Sequence, residues 1–257
     1  MSEFFLELFS EEIPADLQSS ARNELKEIFQ KFLDENDIII KGKVKSFSTP
    51  NRLVLYIDKI SKEIEKKSIE IRGPSVNAPD TALQGFLKSN KINKSQIYKK
   101  TTEKGEFFFF TKPSVKISTY ELFRDNIKKL LVKISWKKSM RWGEYNLYWG
   151  RPLKSILAVF DKSILDFNLD HLQSSNKTFV DKNLEENLKK FTEFKNYEKF
   201  FKLNNIIIDQ ELRKDFIRKE IIKAEKKRKF KVNLNEKLLD EVTNLVEKPK
   251  TLVCEFD

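Results

Sequence analysis

Residues 155–169 read SILAVFDKSILDFNL. Ser155 to Phe160 is an apolar run, Asp161-Lys162-Ser163 is a turn, and Ile164 to Leu169 forms a second arm. In that arm Leu165, Phe167 and Leu169 alternate with Asp166, Asn168 and Asp170. A repeat of two gives one buried and one wet face, so the stretch predicts a β-hairpin. Working outward, Phe4 to Phe9 is a short apolar run suited to a buried strand. Pro14 then precedes Leu17, Ala21, Leu25, Ile28, Phe29, Phe32 and Leu33, spaced by three and four as on one helix face. Val44 to Phe47 and Leu53 to Ile57 are extended, joined by Thr49-Pro50-Asn51, where proline keeps its predecessor out of the helical region. Ile71 to Pro74 ends another strand, Thr81 to Lys88 is a short helix, and Gly105 supplies a positive φ to a turn before Phe107 to Phe110. Tyr120 to Val132 is a further amphipathic helix.

Period-two and period-3.6 segments thus alternate irregularly, which disfavours a doubly wound parallel sheet. The expected class is α+β, with mixed or antiparallel strands and packed helices over residues 1–180. Beyond residue 183 the chain is helical in pattern and strongly charged, with no glycine, so residues 181–257 are expected to be mainly helical. Ile206-Ile207-Ile208 and Leu252-Val253-Cys254 are candidate strands within that part.

The chain has 257 residues, enough for one or two domains and for burial of roughly 70–75% of the unfolded surface. Cys254 is the one cysteine and His171 the one histidine, so neither an internal disulfide nor a His/Cys zinc site can be built from this chain. No Gly-rich phosphate loop of the common kinds occurs. No apolar run approaches a membrane span, and the N-terminus carries Glu3, Glu7, Glu11 and Glu12 rather than a basic leader, so no membrane association and a cytoplasmic location are expected. The net charge is +11, unevenly spread. Residues 1–40 hold ten acids and three bases, while residues 41–257 carry a net +18. A surface of that sign attracts polyanions such as nucleic acid. Only nine of the 50 bases are arginine, so lysine-rich codon composition is a competing source of the charge.

Four groups of residues are candidates for chemistry. Glu7, Glu11 and Glu12 form an acidic patch that could hold Mg²⁺, although acids opening a helix are the plainer account. His171 follows Asp170 but lacks the further histidines of a metal-dependent phosphohydrolase. Ser139-Met140-Arg141-Trp142-Gly143 and Trp149-Gly150-Arg151-Pro152 pair an indole, a turn-forming glycine and a guanidinium. Loop anchoring by the two tryptophans outweighs a ligand site there, yet Arg141 and Arg151 are expected to present charge to phosphate. Lys226-Lys227-Arg228-Lys229 ends a helix that starts near Asp209. The helix dipole accounts for some of those cations, and phosphate contact is the further reading.

The chain resembles the N-terminal part of the beta subunit of bacterial heterotetrameric glycyl-tRNA synthetase. Phe5-Leu6-Glu7-Leu8 with Ser10-Glu11-Glu12-Ile13-Pro14 is similar to the opening of that family, and Thr49-Pro50-Asn51-Arg52-Leu53 to its TPRRL segment. Arg72-Gly73-Pro74, Thr102 to Glu106, Lys138 to Gly143, Arg151-Pro152-Leu153 and Leu239 to Pro249 follow in the family's order. Where the family carries a Gly-His motif, this chain reads Phe179-Val180-Asp181-Lys182-Asn183, a divergent loop. The family's subunit is far longer, so the chain looks like a fragment or a truncated product.

The resemblance implies a part of glycine-tRNA ligase that binds tRNA(Gly) and the alpha subunit in an α₂β₂ assembly. It implies that ATP and Mg²⁺ are used through the alpha subunit, with no cofactor bound by this chain and no catalytic residue in it. The isolated chain is accordingly expected to be inactive. A stand-alone basic RNA-binding module is the alternative, and a degenerate fragment with composition-driven charge is a third reading.

Overall fold

A computed structural model describes residues 1–180 and 188–254. It divides into two compact units, one made of residues 1–62 with the described residues from 119 onward, the other of residues 63–118. The first unit opens with β1 (Ser2–Ser10), α1 (Ala15–Glu35), β2 (Val44–Thr49) and β3 (Arg52–Ile60). The second holds β4 (Glu63–Lys66), β5 (Ile69–Ser75), α2 (Asp80–Asn90), β6 (Ile97–Thr102), β7 (Gly105–Lys112) and β8 (Val115–Ser118). The chain then returns through α3 (Thr119–Leu131), β9 (Leu153–Phe160), β10 (Ser163–Ile164), β11 (Asn168–Leu169), β12 (Leu172–Ser175), β13 (Lys177–Phe179) and β14 (Leu188–Lys190). Helices α4 (Phe194–Leu203), α5 (Gln210–Arg228) and α6 (Glu236–Leu245) follow.

The main sheet of the first unit runs β11-β12-β9-β1-β3-β2, with β10 also on β9. Its pairings are antiparallel except for β12 beside β9. The fold is therefore α+β with mixed sheets. Strand β1 lies between β3 and β9 and is buried on both faces, which is why Phe4 to Phe9 reads as a continuous apolar run. Phe4 packs on Phe29 of α1 and Phe123 of α3, with ring centres 5.8 and 4.7 Å away. Phe5 points the other way, onto Phe194 and Tyr197 of α4, at 5.3 and 4.7 Å. Helices thus cover both faces, and Phe5, Val54 and Leu157 share a core with Phe191, Phe201, Ile206 and Ile208. The change of character near residue 180 falls inside this unit.

The hairpin of residues 155–169 differs from its expected form. Asp161 and Lys162 turn with φ of 48° and 67°, the two positive values a tight two-residue turn demands. Ser163 and Ile164 then pair with β9, and the Leu165 amide makes a last bond to the Ala158 carbonyl at 3.0 Å. Leu165, Phe167 and Leu169 are buried and Asp166, Asn168 and Asp170 exposed, as the alternation predicts. The arm nonetheless breaks, because Ser174 replaces a strand partner. Its hydroxyl donates to the Leu165 carbonyl (2.7 Å) and accepts from the Phe167 amide (2.9 Å). Asn168 and Leu169 pair with β12 instead. Two other expected strands are absent. Residues 206–208 and 252–254 join no ladder, and the Ile207 amide reaches the Glu247 carbonyl at 3.0 Å.

In the second unit β5, β7 and β6 form an antiparallel sheet and β4 pairs with β8. Gly105 turns β6 into β7 with φ of 112°, as expected from sequence. The chain leaves and re-enters the first unit at one point, where the Thr119 amide bonds to the Lys62 carbonyl at 2.8 Å.

Candidate functional site

Arg52 opens β3 and is fully buried. Its Nε donates to Glu7 Oε2 at 3.2 Å and its Nη1 to Glu247 Oε1 at 2.5 Å. Its Nη2 donates to the carbonyls of Phe179 (2.6 Å) and Val180 (3.2 Å). Phe9 and Phe201 cover the guanidinium at 4.8 and 4.7 Å. Glu7 also accepts from the Thr178 and Tyr197 hydroxyls, and Glu247 from Thr49. Burial pushes the Glu7 carboxyl above its usual range, against the opposing pull of Arg52 and the two hydroxyls. Burial alone would lower Arg52, but Glu247 and Glu7 hold it protonated well beyond any working pH. Burial and the neighbouring Glu7 push the Tyr197 phenol upward as well. This is a charged joint between β1, β3, β13, α4 and the segment after α6.

Its geometry corrects the Mg²⁺ reading of the acidic patch. Glu7 is enclosed with Arg52, whereas Glu11 faces solvent and pairs with Lys154 at 3.2 Å. Among the described residues no group of three His, Cys, Asp or Glu side chains is arranged to hold a metal ion. Nor do Glu11 and Glu12 open α1, whose first turn carries Asp16 as its acid.

Glu11 and Glu12 instead line a polar pocket of about 480 Å³ with Ser10, Asn51, Arg151 and Lys154. Three loops build it. The Ser10 amide bonds to the Asn51 carbonyl (2.8 Å) and the Asn51 side chain returns a bond to the Ser10 carbonyl (3.1 Å). The Glu11 amide reaches the Pro152 carbonyl at 2.9 Å. Half-buried Arg151 steadies its guanidinium on the Gly150 carbonyl at 3.0 Å. The pocket offers two cations, two carboxylates and an amide, a lining suited to a polar group that carries both charges or a phosphate beside hydroxyls.

Arg141 stands apart from that pocket, on a loop held at both ends. Met140 and Trp149 exchange backbone bonds of 2.8 and 3.1 Å. Trp149 is buried and packs on Trp136 at 5.1 Å, which fits the loop-anchor reading for this tryptophan. Gly150 makes that packing possible, since a Cβ there would lie 2.3 Å from the Trp136 ring. Gly143 turns the loop with φ of 55°. The Asp170 carboxylate accepts from the amides of Asn146 (2.9 Å) and Leu147 (3.1 Å). Burial raises the Asp170 carboxyl, but the Leu147 amide, His171 and the Asn146 amide outweigh it and hold it below the usual range. His171 is thus part of a loop clamp, with Nδ1 3.5 Å from Asp170, and Arg141 is exposed above it in the chain.

The run Lys226 to Lys229 lies elsewhere, at the end of α5. Asp209 caps the start of that helix by accepting from the Glu211 (2.8 Å) and Leu212 (3.2 Å) amides. Lys229 ends it in the left-handed conformation, φ 58°, its amide on the Glu225 carbonyl at 2.8 Å. All four side chains are exposed. Sequence reasoning singled out neither Arg52 nor Arg213 as a hub. Arg213 is buried in α5 and donates to the carbonyls of Ser48 (2.8 Å), Thr243 (2.8 Å) and Ile207 (2.6 Å). Burial pulls its pKa down to about 10. A buried arginine has no local signature, although Arg52 did lie within a quoted motif. Of the divergent loop, Asp181, Lys182 and Asn183 lie outside the described residues.

A family model described as glycyl-tRNA synthetase beta subunit matches residues 4–257. The chain is 34% identical over 255 residues to a glycine–tRNA ligase beta subunit of Rickettsia felis, covering 98% of this chain and 38% of that protein. It is 35% identical over 253 residues to the same-named protein of Rickettsia typhi, again covering 98% and 38%. The chain therefore spans 38% of the length of these curated relatives.

Proposed function

Since the chain belongs to the glycyl-tRNA synthetase beta subunit family, we propose that it supplies tRNA(Gly) binding and alpha-subunit association to the ATP-dependent attachment of glycine to tRNA. The observation that carries this reading is the family match across residues 4–257, seven-motif order included. The way the motif residues divide supports it. Glu7, Arg52 and Glu247 are enclosed and mutually satisfied, which makes them framework. Glu11, Asn51, Arg141 and Arg151 stand at the surface or line an open pocket, which suits contact with a large partner. The net +18 of residues 41–257 favours an RNA backbone as one such partner. The setting is the cytoplasm and the assembly α₂β₂. No helix among the described residues is long and apolar enough to cross a membrane.

ATP and Mg²⁺ belong to the alpha subunit in this scheme. The sequence carries no Gly-rich phosphate loop of the common kinds, which supports that assignment. The test is co-purification with the alpha subunit, followed by glycine-dependent aminoacylation of tRNA. The purified chain alone is expected to show no glycine-dependent pyrophosphate exchange. Exchange without the alpha subunit would refute the division of labour, and failure to associate would refute the partnership.

A further inference from the structure

The loop between Met140 and Trp149 presents aromatic rings to solvent. Tyr148 is 63% exposed and Tyr145 42%, and Trp142 is half-buried. Trp149 and Trp136 anchor the loop from inside, and these three rings lie on its outer side. They are nevertheless ordered into a surface. The Tyr145 ring lies flat on His171, with centres 3.5 Å apart and planes 11° from parallel. Trp142 meets the edge of the same imidazole at 6.1 Å, and its carbonyl accepts from the Tyr145 amide at 3.3 Å. Asp170 holds His171 from one side and lines, with Tyr148 and Lys128, a shallow hollow of about 350 Å³. The flanking chain is cationic: residues 133–151 contain five bases, among them Lys137, Lys138 and Arg141, against the acid Glu144 in that stretch and Asp170 beside His171.

We infer that this loop is a stacking platform for unpaired RNA bases, with Trp142, Tyr145 and Tyr148 as the rings and Arg141, Lys137 and Lys138 as phosphate contacts. Base–aromatic stacking beside a basic groove is how single strands are held without sequence preference. The rings serve unpaired bases only, because paired bases in an A-form helix turn their faces to one another. A protein partner would also cover aromatic rings, but the excess of bases over acids around them favours a polyanion. The inference deepens the RNA-binding reading above and rests on it.

The test compares the wild-type chain with Tyr148→Ala, Trp142→Ala and Arg141→Ala, using a single-stranded 12-mer oligouridylate, a blunt RNA duplex of equal phosphate count, and tRNA(Gly). Tyr148 is the safest truncation, as its ring is the most exposed of the three. Each ring removed is expected to weaken the 12-mer about tenfold while leaving the duplex unchanged. Arg141→Ala is expected to weaken both probes and to lower the salt dependence of each. Unchanged 12-mer binding in both ring variants, with circular dichroism unaltered, overturns the platform. Equal losses for 12-mer and duplex overturn it in favour of charge alone. Loss of alpha-subunit association with RNA binding intact overturns it in favour of a protein interface. If the wild-type chain binds none of the three RNAs, the RNA-binding reading itself falls, and the platform with it.

Discussion

Arg52 donates to two carboxylates and two carbonyls while Phe9 and Phe201 close over it. Its replacement by methionine would strand the Glu7 and Glu247 charges with no countercharge. Breaking a buried pair in this way costs about 3–5 kcal/mol, so Arg52→Met should unfold at much lower denaturant concentration. Arg52→Lys keeps the charge but not the planar fork, and should remain destabilised. A denaturation midpoint unmoved in Arg52→Met would show that the joint is not structural. Asp170 gives a pH prediction with a definite sign. Its folded pKa lies below the ordinary carboxylate value. Its contribution to loop order is therefore complete above that ordinary value and lost as pH falls through the folded one. Tryptophan fluorescence of the wild type should show a loop transition at acid pH, below the ordinary aspartate range, that Asp170→Asn lacks. The same transition in both proteins would remove Asp170 from the clamp. None of Arg52's role was legible locally. Its partners come from positions 7, 179–180 and 247, and no window of sequence holds them together.

Helix α5 shows what can be read at the scale of an element. The polar cap at Asp209 and the pile of cations at the other end mark both limits in the sequence, and the structure ends the helix among those cations. The Lys229 left-handed cap was not legible, because no glycine or asparagine marks it. Asp209→Ala removes two accepted amide bonds and should cost about 1 kcal/mol in thermal or chemical unfolding. Replacement of Lys226, Lys227, Arg228 and Lys229 by alanine should lower the log–log salt slope of tRNA binding by up to about 3, at about 0.7 per phosphate contact. An unchanged slope in a folded variant would reduce the run to a solvated helix end. The hairpin of residues 155–169 marks the limit of such reading. Its buried and exposed faces followed from alternation, whereas the break after Leu165 involves a hydroxyl at Ser174. Periodicity reports which side chains are buried, not which backbone they bond to.

At the scale of the whole molecule, the chain leaves the first unit after Lys62 and returns to it at Thr119, whose amide bonds to the Lys62 carbonyl. No glycine-rich linker or shift of composition announces this insertion, which is why sequence placed its only boundary near residue 180. Replacing residues 63–118 with a short Gly-Ser turn should leave the first unit folded, with one cooperative thermal transition. Aggregation of that variant, or loss of the transition, would show that the first unit depends on the second. Within the first unit, Glu7 and Arg52 wait for Glu247. A ribosome making roughly 5–20 residues per second needs on the order of 10–40 s to travel from Arg52 to Glu247. For about the first half of that interval the nascent chain holds β1 without β9, and throughout it two opposite charges lack their third member. Such a chain is a natural client for ribosome-associated chaperones, and slow translation lengthens its exposure to proteases and to neighbouring nascent chains.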